Sequence, residues 1–192
     1  LAKRLRAWHQ RAALRHESLA ARASRPLRSP QLAPMTRPDP ATLREQLLAH
    51  ARGVAFFELI GLEVLDAEPG RSSTRLRMRP DLANPIGLMH GGIIASLIDT
   101  GLAYALLLRE DIQDALHAGR SLVTVDLRVK YLRPVSAGAV TCESRIIRMG
   151  RQIIHMEAVV TNDDGKEVAR GDAIYTTATP RTPSPDSSET AG

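Results

Sequence analysis

A chain of 192 residues with 43% hydrophobic content is one domain's worth of sequence with enough apolar material for a single core, which excludes a large multidomain machine. The formal net charge of +5 hints at nucleic acid until it is divided by position. Residues 1–37 carry nine Lys or Arg against one acid, or +8, whereas residues 38–192 carry seventeen against twenty, or −3. A slightly acidic globular part with 3% aromatic content lacks the basic face and stacking residues of a nucleic-acid binder. Cys142 is the only cysteine, so an intrachain disulfide is impossible and the expected setting is the cytoplasm.

The leader from Leu1 to Pro38 is rich in Arg, Ala and Ser and poor in acids, a composition shared with organelle transit peptides. A second reading is an extended or misassigned translation start, because the chain opens on Leu and Met35 precedes a capped helix. Either way the leader, residues 1–38, is expected to be a disordered arm outside a folded domain over residues 39–178. Residues 179–192 are Pro, Ser, Thr and acids, and read as a disordered tail.

Asp39-Pro40 predicts a helix entrance, with Asp capping free N–H groups and Pro tolerated at the first helical position. Leu43, Leu47 and Ala51 then share a face, and Gly53 ends the helix. Phe56 to Leu65 predicts a first strand, Glu68-Pro-Gly-Arg71 a turn, and Ser72 to Arg79 a second strand completing a hairpin. After a loop from Pro80 to Met89, Gly91 to Leu108 predicts a long central helix, apolar almost all round and therefore wrapped by other structure. It is too short for a bilayer span and is interrupted by Asp99, so no membrane partner is expected.

Residues 109–119 read as a polar connection. Val123, Val125, Leu127, Val129 and Tyr131 alternate with Thr124, Asp126, Arg128 and Lys130, which is strand periodicity. Pro134 and Gly138 separate this strand from Val140 to Met149; Gly150 marks a tight turn, Gln152 to Thr161 a strand, Asn162 to Gly165 a hairpin turn, and Lys166 to Thr177 the last strand. The order predicts an α+β fold, a six-stranded antiparallel sheet curled around one long central helix.

Asp99 is the residue in most need of explanation. Removing an ionised carboxylate from water costs several kcal/mol unless it is paired or hydrogen-bonded, so an acid in a core helix signals chemistry or a network. Eight residues earlier, His90-Gly91-Gly92 opens the same helix, whose unpaired N–H groups and positive dipole end suit an oxyanion. Gly91, without a Cβ, lets a substrate approach the backbone closely.

The order of elements and the run Asn84…His90-Gly91-Gly92…Asp99 resemble the hotdog-fold acyl-CoA thioesterases, specifically the phenylacetate-pathway (PaaI-like) type of the 4HBT superfamily. The match covers about residues 40–178, with Phe57-Glu-Leu-Ile-Gly61-Leu-Glu-Val64, Val123-Thr-Val-Asp126 leading to Tyr131-Leu-Arg-Pro134, and Arg148-Met-Gly-Arg151 as further pieces. The resemblance implies hydrolysis of acyl-CoA thioesters to free acid and CoA. It implies Gly91 as the donor to the thioester oxygen and Asp99 as general base or as a nucleophile forming an anhydride. Asn84 would contact water or the thioester, Thr124 would orient water or Asp99, and His90 would hold the helix entrance. Tyr131, Arg148, Met149, Gly150 and Arg151 would contact CoA, whose phosphates call for basic groups.

At roughly 1.5 Å rise per residue, Gly91 and Asp99 stand about 12 Å apart along one helix, too far to touch one carbonyl. A homodimer with antiparallel helices, or a dimer of such dimers, would bring Gly91 of one protomer to Asp99 of the other. CoA is part of the substrate, and no separate cofactor is expected. No metal is expected either, because His90, His117 and His155 lack ligand spacing. The alternative is a hotdog protein that binds acyl-CoA without hydrolysing it; a hydratase would need an Asp and His pair before the helix. The acyl group is not legible in the sequence.

Overall fold

The carboxylate of Asp39 accepts hydrogen bonds from the N–H groups of Ala41 and Thr42, two of the donors that a helix start leaves unpaired, and the first helix, α1 (Pro40–Ala51), begins there. The computed structural model describes residues 39–180, so the expectations for the leader and for the tail beyond residue 180 lie outside the described residues. Ala51 is buried and Leu43 and Leu47 pack beside it against Tyr104 and Leu108, on the face their spacing predicts.

The strand expected over Phe56–Leu65 is corrected. Residues Ala55–Ile60 form a short helix, α2, which ends on Gly61 in the left-handed conformation (φ 71°), and only then does β1 (Leu62–Glu68) begin. An apolar run of this length has no periodicity that separates a buried strand from a helical turn. The glycine is what stops the helix, since a residue with Cβ is strained at that φ.

Strand β2 (Arg71–Arg77) follows a tight turn, and a 3-10 turn at Pro80–Leu82 leads to the central helix α3 (Gly91–Leu107). The connection expected over residues 109–119 contains a further helix, α4 (Glu110–His117), a second correction. Its apolar stripe is only Ile112 and Leu116, four residues apart, which the polar composition of the segment conceals. Strands β3 (Ser121–Tyr131), β4 (Ala139–Met149), β5 (Ile154–Asn162) and β6 (Glu167–Ala178) complete one six-stranded antiparallel sheet in the order β1-β2-β4-β5-β6-β3. Among the described residues no single helix is long and apolar enough to cross a membrane.

The sheet curves over α3. Leu97, Ile98, Leu102 and Leu106 on the helix are fully buried against Leu76, Val140, Met156 and Val160 of the strands. The hydroxyl of Ser72 donates to the carbonyl of Gly101 at 2.6 Å and ties strand to helix within this core. Cys142 is free and buried there, and burial pushes its thiol up to about 11, so it stays protonated and inert.

Two further expectations change. The helix is not wrapped all round: Gly92, Ala95, Ser96, Asp99, Thr100 and Ala103 form a stripe that the sheet leaves open or half-open. The nine-residue alternation of β3 is broken by a bulge at Val125, where the register steps from Thr124 opposite Tyr175 to Asp126 opposite Ile174. Thr124 therefore faces the helix with Leu127 and Val129, while Val123 (41% exposed) and Val125 (62%) point to solvent.

A single methyl group tests how tightly helix and sheet are fitted. A Cβ built on Gly171 in β6 would lie 2.5 Å from Cγ2 of Ile98, a fully buried β-branched side chain with little rotamer freedom in a helix. Gly171→Ala is expected to cost about 1–3 kcal/mol through overpacking and to lower the thermal midpoint by several degrees; an unchanged midpoint would show that the layers are looser than described.

Candidate active site

Asp99 sits at the middle of α3 on its open stripe, half-buried, and is held from the sheet side. The hydroxyl of Thr124 on β3 donates to Asp99 Oδ1 at 2.9 Å. The phenol of Tyr175, directly opposite Thr124 on β6, lies 2.6 Å from the same Oδ1 and 2.9 Å from the Asp99 carbonyl. Oδ2 accepts no hydrogen bond among the described residues, so one carboxylate oxygen is fixed and the other is open. The Tyr175 ring is 1% exposed, and burial followed by the Asp99 contact pushes its phenol well above the usual tyrosine range. Tyr175 was not among the sequence candidates. Within Ala173-Ile-Tyr175-Thr it reads as an ordinary alternating core residue, and only cross-strand register reveals its neighbour.

At the N-terminus of α3 the backbone donors can be counted. The N–H of His90 goes to Leu82 O, that of Gly92 to the His90 Nδ1 side chain, and those of Ile93 and Ile94 to His90 O. Gly91 N–H alone has no partner among the described residues. His90 is thus the N-cap, its Nδ1 accepting at 3.0 Å with the other ring nitrogen carrying the proton.

Asn84 is in the loop beside this helix end. Its Oδ1 accepts from the N–H groups of Ile86 and Leu88, both at 3.1 Å, which shapes the loop and leaves the Nδ2 amide as the group with donors to spare. Asn84 and Gly91 line one open cavity of about 340 Å³ with Leu88, Ile94, Tyr131 and Val135. A larger cavity of about 540 Å³ lies between α1, α2 and β1 and contains none of the candidate residues.

The expected CoA-contacting residues divide between two places. Tyr131, at the far end of β3, packs its ring over Gly91 and donates its hydroxyl to Gly91 O at 2.9 Å. Arg148, Met149, Gly150 and Arg151 are at the β4–β5 turn, in the row where Met149 faces Ile154 and Ile154 faces Tyr175. Seven residues of β3 separate Tyr131 from Thr124, roughly 20 Å. The grouping of Tyr131 with the two arginines is therefore corrected for a single protomer. Met149 packs inward on the core, whereas Arg148 and Arg151 are exposed and carry no ion pair among the described residues. By contrast Arg75, Arg128, Arg145 and Arg170 on the same sheet are each paired with an acid.

The candidate residues thus form two separate groups on the chain. One holds Gly91, Asn84, His90 and Tyr131; the other holds Asp99, Thr124, Tyr175 and the Arg148–Arg151 turn. The profile of the Thioesterase superfamily matches residues 86–169, which include Gly91, Asp99, Thr124, Tyr131 and the Arg148–Arg151 turn. The proofreading thioesterase EntH of Klebsiella pneumoniae is 31% identical over 108 residues, 56% of this chain and 74% of that protein. The chain belongs to the thioesterase superfamily. Human acyl-coenzyme A thioesterase 13 is 27% identical over 133 residues, 68% of this chain and 90% of that one. The Escherichia coli PaaI protein, from a phenylacetic acid degradation operon, shares the hotdog fold at a TM-score of 0.59 over 71% of this chain and 96% of its own, with 23% identity. Thioester hydrolysis is the reaction class of the superfamily and of this member.

The cap is testable without an activity assay. His90→Ala orphans the Gly92 N–H and is expected to cost about 1 kcal/mol, a drop of a few degrees in thermal midpoint, while His90→Asn, a good N-cap, restores most of it. Equal midpoints for the two variants would contradict the capping role.

Proposed function

We propose that this protein hydrolyses acyl-CoA thioesters at sites shared between two protomers, Gly91 of one supplying the oxyanion donor and Asp99 of the other the base or nucleophile. The observation that carries the reading is the donor count at α3: in a first turn where every neighbouring N–H is used, the one left is Gly91's, at a positive helix end and beside the unused Asn84 amide. A thioester carbonyl oxygen placed there gains a donor as it becomes an oxyanion. Asp99 Oδ2 serves either of two routes. It takes a proton from a water whose oxygen attacks the carbonyl carbon, or it attacks that carbon itself and the resulting anhydride is cleaved by water. In both, collapse of the tetrahedral species breaks the C–S bond and releases CoA thiolate.

Two features support the dimer. Strand β3 is an edge strand of eleven residues, paired only with β6, and it carries Val123 and Val125 outward, a surface that isolated chains normally protect. The open stripe of α3 is made of small residues around Ala95, midway between Gly91 and Asp99, so antiparallel helices crossing there bring each Gly91 towards the partner's Asp99. The same two-fold brings Tyr131 of one chain towards the Arg148–Arg151 turn of the other, where unpaired guanidinium groups suit the phosphates of CoA. Acyl-CoA as substrate is supported by the likeness to the human acyl-coenzyme A thioesterase and by those two arginines. The buried free thiol of Cys142 supports a cytoplasmic setting.

Phenylacetyl-, hexanoyl- and palmitoyl-CoA, assayed by release of free thiol, test the reading. Wild type is expected to turn over at least one of them, Asp99→Ala to lose nearly all activity, and Gly91→Pro to lose about 100- to 1,000-fold in kcat. Pro suits the backbone here because His90 is already extended (φ −62°, ψ 135°) and the first helical residue tolerates it; its Cβ would meet the Tyr131 ring at 3.1 Å, so Gly91→Ala, which meets the same ring and keeps the N–H, is the steric control. CoA binding without thiol release would instead mark a non-hydrolysing binder, and full activity in Gly91→Pro would remove the oxyanion role.

A further inference from the structure

We propose that Tyr175 is a positioning residue for the hydrolysis, its phenol locking Asp99 Oδ1 so that Oδ2 is the only carboxylate oxygen that meets water or the thioester carbon. This rests on the catalytic reading of Asp99 given above. A carboxylate on a helix turns freely about its last bond unless one oxygen is held. Thr124 alone holds Oδ1 with a hydroxyl that is itself free to rotate, at 2.9 Å. Tyr175 adds a rigid donor at 2.6 Å, carried on a fully buried ring in the next strand, and its second neighbour, the Asp99 carbonyl at 2.9 Å, fixes the phenol relative to the helix backbone.

The arrangement is asymmetric in the way a positioned carboxylate requires. Both sheet donors converge on Oδ1, and Oδ2 receives none among the described residues. Burial holds the phenol proton in place across the working pH range, so Tyr175 acts as a donor and not as a proton acceptor. A tyrosine serving only to fill the core would satisfy its hydroxyl on any carbonyl; here, with the Thr124 hydroxyl as a further neighbour, the phenol lies closer to the side chain that the chemistry uses than to the Asp99 carbonyl.

The test is a double-mutant cycle on the fastest substrate of the panel, comparing wild type, Tyr175→Phe, Asp99→Asn and the double variant. Tyr175→Phe is expected to lower kcat by about 10- to 100-fold with KM within about two-fold of wild type. In the Asp99→Asn background the same change is expected to have no further effect on the residual rate, because Tyr175 acts through Asp99. An unchanged kcat in Tyr175→Phe, or an equal loss with and without Asp99, overturns the proposal. If the Phe variant does not fold, 3,5-difluorotyrosine at position 175 keeps ring and hydroxyl while strengthening the donor. It should then lower kcat at least two-fold at constant KM, since a stronger hydrogen bond draws charge from the carboxylate, and an unchanged kcat overturns the proposal. Wild-type activity in Asp99→Asn would instead overturn the catalytic reading of Asp99 itself.

Discussion

Everything in this fold turns on one helix doing two jobs. The 17 residues of α3 bury Leu97, Ile98, Leu102 and Leu106 against the sheet, and they also carry an unpaired N–H at Gly91 and an open carboxylate oxygen at Asp99. Those two groups are on a rigid rod, about 12 Å apart by helix rise. An aspartate side chain reaches across only part of that distance, which is why the proposed site takes its two groups from two protomers. The open stripe of small residues on α3 and the unpaired edge of β3 are the surfaces that a partner of the same sequence would cover in the proposed dimer.

The polar groups near the helix show how the protein separates structural from chemical work. His90 Nδ1 caps Gly92, Asn84 Oδ1 shapes its own loop, and Asp99 Oδ1 is held by Thr124 and Tyr175. In each case one part of the residue or its neighbour is committed to the scaffold, and Gly91 N–H, Asn84 Nδ2 and Asp99 Oδ2 are left without a partner among the described residues. Preorganisation of this kind matters because groups already fixed do not have to be ordered as charge develops in the transition state.

Much of this was legible in the sequence, and the failures share a cause. Gly91 announced a helix N-terminus, and the alternating strands and hairpin turns gave the antiparallel sheet, whereas Asp99, expected inside the core, is half-buried on the open stripe of the helix. Phe56–Leu65 was misread because a short apolar run carries no period, and the decisive signal was a left-handed Gly61 that looks like any other glycine. The bulge at Val125 reversed the outward face of β3 in mid-strand, and α4 hid its two-residue apolar stripe in polar composition. Tyr175, and the separation of Tyr131 from Arg148 and Arg151, depend on which residues lie opposite one another across strands. Register of that kind is set by the whole sheet and is not written in any local pattern.

The shared site is tested most directly by complementation between two inactive chains. Gly91→Pro and Asp99→Asn, co-expressed with different tags and purified as mixed assemblies, are each expected to be nearly inactive alone. Selection on both tags leaves only mixed dimers, and each has one intact Gly91–Asp99 pair out of two, so about one half of wild-type activity should return. No recovered activity in assemblies shown to contain both chains would mean that each protomer works alone, contradicting the account.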